Sequence, residues 1–236
     1  MNAPLPFVLL HGALNDHRVW APLRAALPLD GLALDLPGHG AAGGAPPASL
    51  AAAADWVWRE LDARGIGRAV LVGHSMGSLI ALEAAARVPA RTAALVMVGT
   101  AFPMRVAPAL LETAAHQPAD AIALIDDYSR SRPDPAQCLL ALMTELQAGQ
   151  RDTNLLVHDL RLCDGYADAL ERAAAVTAPV HLILGELDRM TPPRKAQALA
   201  AALRAEVHSL PAGHALMAEA PDAIAAILVQ LQETLA

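Results

Sequence analysis

The stretch "LVGHSMGS", residues 71–78, decides the fold of this chain. It places the hydroxyl of Ser75 between Gly73 and Gly77, after an apolar run and before a stretch with helical character. A serine nucleophile must be held exposed, and a sharp turn from strand to helix does this only if no side chains crowd it two positions away. The pattern G-x-S-x-G in this context predicts that Ser75 is a nucleophile and that Gly73 and Gly77 permit its turn.

Short apolar runs alternate with helical patterns on both sides of this stretch. Strands are predicted over residues 6–10, 31–36, 68–73, 93–99, 179–185 and 205–210, and helices over 49–63, 76–87, 193–203 and from Pro221 onward. Strands that alternate with helices of this kind need right-handed crossovers. The predicted fold class is therefore α/β, with a doubly wound, mostly parallel sheet of about six strands that is covered on both faces.

Residues 101–178 break the alternation, because they carry only helical patterns. Asp134 and Asp152 are predicted to begin two helices that end at Gly149 and Gly165. The predicted organisation is a core of residues 1–100 and 179–236 with an all-helical insertion of residues 101–178.

The composition excludes several functional classes. A net charge of −7 without any basic run argues against a nucleic-acid partner. Cys138 and Cys163 fit neither a metal spacing nor a disulfide framework, so no metal and no cofactor are predicted. No apolar stretch is long enough for a membrane span, and the first residues lack the basic region of a signal peptide. The chain is therefore predicted to be cytoplasmic; its oligomeric state is left open.

Ser75 needs a base, and nine histidines compete for that role. His214, in "PAGHALMAEAP", lies between the last strand and the last helix, at the sheet edge where Ser75 is also expected. The other candidates lie inside strand runs, beside the nucleophile, or in loops and helices without a partner motif (His181, His208, His74, His17, His116 and His158). His214 is therefore the predicted base.

The base needs an orienting acid, and "GELDRMTPP" after the fifth strand offers two. Asp188 is favoured over Glu186, because it lies further along the loop, beside a proline-rich turn. It also gives the chain order nucleophile, acid, histidine. Glu186 stays the alternative.

Two backbone N–H groups are predicted to bind an oxyanion. Met76 is the first residue of its helix, and Ala13 follows Gly12, which lets the backbone of "HGALNDHRVW" approach closely. His11 is predicted to organise this loop through hydrogen bonds, and Trp20 to lie in the core. The predicted pocket residues are Leu14, Met104, Met190 and Leu216.

Five pieces together make the chain similar to the α/β-hydrolases over nearly its whole length: "HGALNDHRVW", "DLPGHG", "GHSMG", "GELD" and "AGH". The resemblance implies that the first two strands exchange places in space, so that Ala13 and Ser75 become neighbours. It also implies that residues 101–178 form a lid over the site. The chain departs from the family in beginning at what resembles the third strand, and in having Ser78 where many relatives have a third glycine.

These features predict a serine hydrolase that cleaves a carboxylic ester of a small or medium apolar acyl group, with a small-molecule ester as its substrate. A C–C bond hydrolase or a lyase of the menaquinone-pathway type stays an alternative. Such relatives bind anionic substrates with arginines near the nucleophile elbow, which is the turn that carries the serine. The corresponding stretch here, "GHSMGSLIAL", has no arginine. A non-catalytic ligand-binding protein of the same fold is a third possibility.

Residues 101–178 hold eleven acidic residues against six arginines. This excess predicts that a neutral ester is preferred over the matching acyl-CoA by at least about tenfold.

Overall fold

Six parallel strands form one sheet in a computed structural model that describes residues 5–28, 31–132, 139–149 and 153–235. The strands are β1 (Phe7–Leu10), β2 (Gly31–Leu34), β3 (Ala69–His74), β4 (Thr92–Val98), β5 (Val180–Gly185) and β6 (Glu206–Leu210). Their order is β2-β1-β3-β4-β5-β6, and every neighbouring pair is parallel. The predicted fold class is confirmed, including the exchange of the first two strands.

Both faces of the sheet are covered by helices. On one face pack α1 (Ala21–Ala26), α10 (Leu216–Glu219) and α11 (Pro221–Leu235); on the other pack α2 (Leu50–Ala63), α3 (Met76–Arg87) and α9 (Gln197–Leu203). Successive side chains of a strand point to opposite faces. In β1, Phe7 and Leu9 therefore join one apolar cluster while Val8 joins the other. Since both faces are buried, the strand reads as an unbroken apolar run.

Most predicted boundaries hold to within one or two residues. Ser49 caps α2, because its hydroxyl accepts a hydrogen bond from the N–H of Ala52 at 3.1 Å. The helix predicted over residues 193–203 is divided: Pro193–Lys195 forms a tighter 3₁₀ turn before α9. The short α1 was not predicted, because six residues are too few to show a helical period.

Residues 101–178 contain helices and no strand wherever the structure describes them: α4 (Pro108–His116), α5 (Pro118–Ser129), α6 (Leu139–Gly149), α7 (Leu155–Gly165) and α8 (Ala169–Ala173). Gly149 and Gly165 are the last residues of α6 and α7, as predicted. The predicted helix starts at Asp134 and Asp152 lie outside the described residues, as does Cys138. Among the described helices, none combines the length and apolar character needed to cross a membrane.

Candidate active site

Ser75 occupies a strained turn between β3 and α3. Its backbone lies at φ 51° and ψ −119°, a region that residues with a side chain rarely adopt. A Cβ atom at Gly73 would collide with the carbonyl of Gly77, and one at Gly77 would collide with the carbonyls of Leu10 and His11. The turn therefore requires glycine at both positions, because backbone atoms already fill the space.

Ser78 adds a polar group beneath this turn. Its hydroxyl lies 2.6 Å from the carbonyl oxygen of Ser75 and 2.8 Å from the hydroxyl of Thr100. The Ser75 N–H donates to the carbonyl of Val98 at 2.9 Å. The backbone of Ser75 is thus held on two sides. Its own hydroxyl makes no hydrogen bond among the described residues, and its side chain is partly exposed in a cavity.

His214 and Asp188 form a buried pair at the same edge of the sheet. Nδ1 of His214 lies 2.8 Å from Oδ2 of Asp188, and both residues are only 4% exposed. With Nδ1 held by the carboxylate, Nε2 is the nitrogen left for proton transfer. Glu186, the alternative acid, is exposed and does not contact His214. Of the two carboxylates in this loop, the structure brings Asp188 to the histidine.

Asp188 is held by its own loop. The N–H groups of Met190 and Thr191 donate to its Oδ1 at 2.8 and 2.7 Å, and the Thr191 hydroxyl donates to its Oδ2 at 2.7 Å. Burial alone would raise the pKa of Asp188, but the positive charge of His214 and the hydrogen bonds from His214 and Thr191 outweigh it and lower this pKa well below its ordinary value. Asp188 is therefore a carboxylate throughout the working pH range.

Thr191 is a site residue that sequence analysis missed. Besides Asp188, its hydroxyl lies 2.9 Å from the carbonyl of Gly99 and 3.1 Å from Nδ1 of His214. The signal was present in "DRMT", since an aspartate often accepts hydrogen bonds from N–H groups two and three residues onward. Thr191 fixes the carboxylate and the imidazole relative to the end of β4.

The depressed pKa of Asp188 has a consequence for acid stability. An unfolded aspartate has a pKa of about 3.9. Because the folded value is lower, the group stabilises the native state above about pH 4, and this contribution is lost as the pH falls through the folded pKa. We expect urea unfolding between about pH 5 and pH 2 to show a steeper loss of stability for the wild type than for Asp188→Asn. Parallel pH dependences for the two proteins would contradict this expectation.

Ser75 and His214 line one cavity of about 380 Å³ between the sheet edge and residues 101–178. Gly12 and Ala13 also line it, next to Ser75: a Cβ atom on Gly12 would lie 3.2 Å from the Cβ atom of Ser75. This proximity follows from the strand order, which places β1 beside β3. Met76 does not line the cavity, and its side chain is buried in the core; as the first residue of α3, its N–H has no acceptor within the helix.

The structure places two of the four predicted pocket residues on the cavity wall. Met104 and Met190 line the cavity, as predicted. Leu14 and Leu216 do not, and both are fully buried. Leu14 has a positive φ of 47°, which turns its side chain into the apolar cluster of the helical segment. Leu216, at the start of α10, packs into the cluster beneath the sheet and against Gly99. The direction in which the side chains of Leu14 and Leu216 point cannot be inferred from their positions in the sequence.

The charges on the cavity wall do not follow the net negative charge of residues 101–178. Arg105, Arg189 and Lys195 line the cavity, and no acidic residue does so in the described part of the chain. Several acidic residues of the helical segment have partners outside the cavity; Asp126, for example, pairs with Arg130 at 2.8 Å. The expected preference for a neutral ester over an acyl-CoA is therefore not supported by the charges at the cavity. The net charge of residues 101–178 does not show which of their side chains face the cavity.

Two other histidines, His11 and His74, support the site and are uncharged near neutral pH. Burial, chiefly, lowers the pKa of His11 to about 4 and that of His74 to about 3. Neutral His11 accepts the N–H of Leu36 at Nε2, 3.0 Å away, and so ties the loop after β1 to the loop after β2, as predicted. His74 donates from Nε2 to the carbonyl of His214 at 2.9 Å. Trp20 is fully buried, as predicted.

Three further histidines form contacts away from the cavity. His181 and His208 contact each other through Nδ1 and Nε2, 3.0 Å apart, and Glu206 lies beside both. This cluster joins two neighbouring strands, so no spacing in the sequence indicated it. His17, for which no partner was predicted, lies 2.8 Å from Asp35.

Comparison with known proteins agrees with this geometry. A sequence profile described as "Alpha/beta hydrolase family" matches residues 7–227. The chain belongs to the alpha/beta hydrolase family. Pimeloyl-[acyl-carrier protein] methyl ester esterase of Aromatoleum aromaticum is 34% identical over 227 residues, which cover 86% of this chain and 87% of that protein. The enol-lactonase of Burkholderia xenovorans LB400 has the same fold, with a TM-score of 0.83 at 24% identity over 98% of this chain and 92% of the other.

A further relative in this family is matched only in part. Lipase LipV of Mycobacterium tuberculosis is 33% identical over 137 residues, which are 58% of this chain and 49% of the lipase. The chain thus spans about half the length of that relative. Together, these similarities to an esterase and a lipase support a hydrolase.

Proposed function

We propose that the protein is a serine hydrolase that cleaves a carboxylic ester of a small or medium apolar acyl group through an acyl-enzyme. One observation carries the proposal: Ser75 is exposed to the same cavity as His214, whose far side is held by the buried carboxylate of Asp188. A hydroxyl, an imidazole and a carboxylate in this order are what nucleophilic acyl transfer requires.

In the proposed reaction, the Ser75 hydroxyl attacks the ester carbonyl while Nε2 of His214 takes its proton. Asp188 holds the imidazole in the tautomer that accepts at Nε2 and stabilises the imidazolium that results. The N–H groups of Ala13 and Met76 bind the oxyanion. His214 then protonates the departing alcohol, and a water molecule activated by the same imidazole releases the acid. Residues 101–178 act as the lid that keeps this cavity from bulk water.

The cavity favours an apolar acyl chain with an anionic group at or beyond its mouth. A volume of about 380 Å³ lies at the lower end of small-molecule pockets, and its wall includes Leu110, Ile125 and Leu156. Arg105 and Arg189 are partly neutralised by carboxylates, by that of Asp164 at 4.0 Å and that of Asp127 at 3.3 Å. Lys195 is exposed and has no ion-pair partner among the described residues. An ester that carries a carboxylate or a phosphate-bearing carrier fits this wall, in line with the name of the Aromatoleum aromaticum relative.

Lys195 gives this part of the proposal a direct test. We expect Lys195→Gln to lower kcat/KM for a monomethyl ester of a dicarboxylic acid about two- to fivefold relative to the dimethyl ester, which is the range of an exposed ion pair. Because exposed charges are screened, about 0.5 M salt should narrow the difference in the wild type. The control is Arg194→Gln, an exposed neighbour that does not line the cavity. An equal loss for both substrates would contradict an ionic role.

A lyase or a C–C bond hydrolase stays a second candidate function. Arg105, Arg189 and Lys195 supply positive charge at the cavity, whereas the sequence around Ser75 has no arginine. Product analysis separates the two. The wild type would be incubated with acyl p-nitrophenyl esters, methyl esters and acyl-CoA thioesters, and with a vinylogous diketone as the C–C substrate. Release of alcohol from the esters at rates above those of C–C cleavage supports the proposal, and the reverse order would replace it.

A further inference from the structure

A buried carboxylate from the helical segment reaches into the loop that follows β1. Oδ2 of Asp159, in α7, accepts a hydrogen bond from the N–H of Leu14 at 2.8 Å. The same oxygen lies 2.8 Å from Nε2 of His39, in the "DLPGHG" loop. The side chains of Asp159 and His39 are 1% and 0% exposed. Three segments that are far apart in the chain thus meet at one oxygen atom.

The partners of His39 fix its charge. Its Nδ1 lies 3.1 Å from the carbonyl oxygen of Pro37, and its Nε2 faces the Asp159 carboxylate. Both partners are acceptors, so both nitrogens must carry a proton, and His39 is an imidazolium. Burial lowers the pKa of His39, but the hydrogen bond and the charge of Asp159 outweigh it and raise this pKa. The neighbouring imidazole of His11, 4.9 Å away between ring centres, is neutral.

The backbone of Leu14 needs such a restraint. Leu14 has a φ of 47°, which is strained for a leucine, and its N–H belongs to the peptide bond that begins at Ala13. The orientation of that peptide also constrains the preceding backbone at Ala13, which lines the cavity and carries the N–H proposed to bind the oxyanion. Oxyanion donors act only if they are fixed in direction before the charge develops.

We propose that Asp159 is a positioning residue that, from within the helical segment, holds the Leu14 N–H and thereby the oxyanion-binding backbone at Ala13. The inference rests on the proposed function. It makes the helical segment part of the catalytic arrangement, because a displaced α7 would release the loop that binds the developing charge. Asp159 touches no reacting atom and acts through Leu14, while the contact with His39 fixes the direction of its carboxylate.

A series of variants separates this role from plain stabilisation. Asp159→Asn keeps an oxygen at the place of Oδ2, which can still accept from both the Leu14 N–H and Nε2–H of His39, so kcat should stay within about threefold of the wild type. Asp159→Leu removes the acceptor and should lower kcat about 100-fold, as the loss of one oxyanion donor does, with little change in KM. The double variant His39→Leu/Asp159→Leu replaces the buried ion pair by apolar groups and should regain thermal stability. Its kcat should stay low, because Leu14 still lacks its acceptor.

Tyr166→Phe is the matched control. It removes another buried hydrogen bond between the helical segment and the core, from the Tyr166 hydroxyl to Glu83 at 2.8 Å, without contacting the loop after β1. It should lower the Tm and leave kcat unchanged. If kcat instead follows the Tm through the whole series, so that the double variant recovers both, Asp159 is only structural and the inference is overturned.

Failure of the proposed function would be seen separately, as a wild type that hydrolyses no ester and whose Ser75 does not react with a fluorophosphonate. In that case, or if the leucine variants do not fold, NMR of the ¹⁵N-labelled wild type decides. The Leu14 amide should exchange with solvent as slowly as core amides, and both ring nitrogens of His39 should be protonated at pH 7. A rapidly exchanging Leu14 amide overturns the inference.

Discussion

We expect Ser75→Ala to lower kcat by about 10⁶-fold for any ester that the wild type cleaves, while the Tm changes little. The size of the loss is that of removing the nucleophile from a serine hydrolase, where the remaining groups act only on a direct attack by water. The fold should survive, since the side chain of Ser75 makes no hydrogen bond among the described residues and an alanine can occupy its place. A spectrophotometric assay with a p-nitrophenyl ester measures kcat, and differential scanning calorimetry measures the Tm.

Covalent labelling makes the same prediction without a known substrate. A fluorophosphonate should phosphonylate Ser75 with release of fluoride, and mass spectrometry of the digested protein should find the adduct on the peptide that contains residues 71–78. Ser209→Ala, on exposed β6, is the control and should label like the wild type. An adduct on any other serine, or labelling that persists in Ser75→Ala, would remove Ser75 from the mechanism.

Asp188→Asn should lower kcat by about 10⁴-fold, the loss seen when a triad aspartate becomes an amide. The replacement keeps the shape of the side chain. It removes the negative charge that stabilises the imidazolium, and it lets the Nδ1 of His214 become an acceptor, which puts the proton on the nitrogen that should take it from Ser75. The effect should appear in kcat and in kcat/KM alike, because the lost interaction develops in the transition state.

Glu186→Gln is the matched control, since Glu186 lies in the same loop and was the alternative acid. It is exposed, so we expect a change in kcat of less than about twofold, as for surface substitutions in general. A larger loss for Glu186→Gln than for Asp188→Asn would reverse the assignment of the acid. Circular dichroism of both variants shows whether each loss of activity comes from a folded protein.

The amino-acid sequence alone determined the features that arise from short-range geometry. Each strand is an apolar run because a parallel strand is buried on both faces, and Ser49 before a helix is a cap whose hydroxyl satisfies a free N–H. The two glycines around Ser75 were also readable, since the crowding they relieve comes from the turn itself and from the adjacent strand. These signals lie within a few residues of the structure that they specify, so they gave the fold class, the six strands and the elbow.

Tertiary structure decided whatever depends on which side chains meet across the chain. Sequence favoured Asp188 over Glu186, but the backbone of its loop turns Asp188 toward His214 and places the Thr191 hydroxyl between them. Side-chain direction also put Leu14 and Leu216 into the core, and a positive φ at Leu14 has no local signal in the sequence. Lys195 lines the cavity although residues 101–178, which cover it, carry a net negative charge. A count of charged residues does not show in which direction each side chain points. Asp159 and His39 are separated by 120 residues, and only the packing of α7 against the loops after β1 and β2 makes them partners.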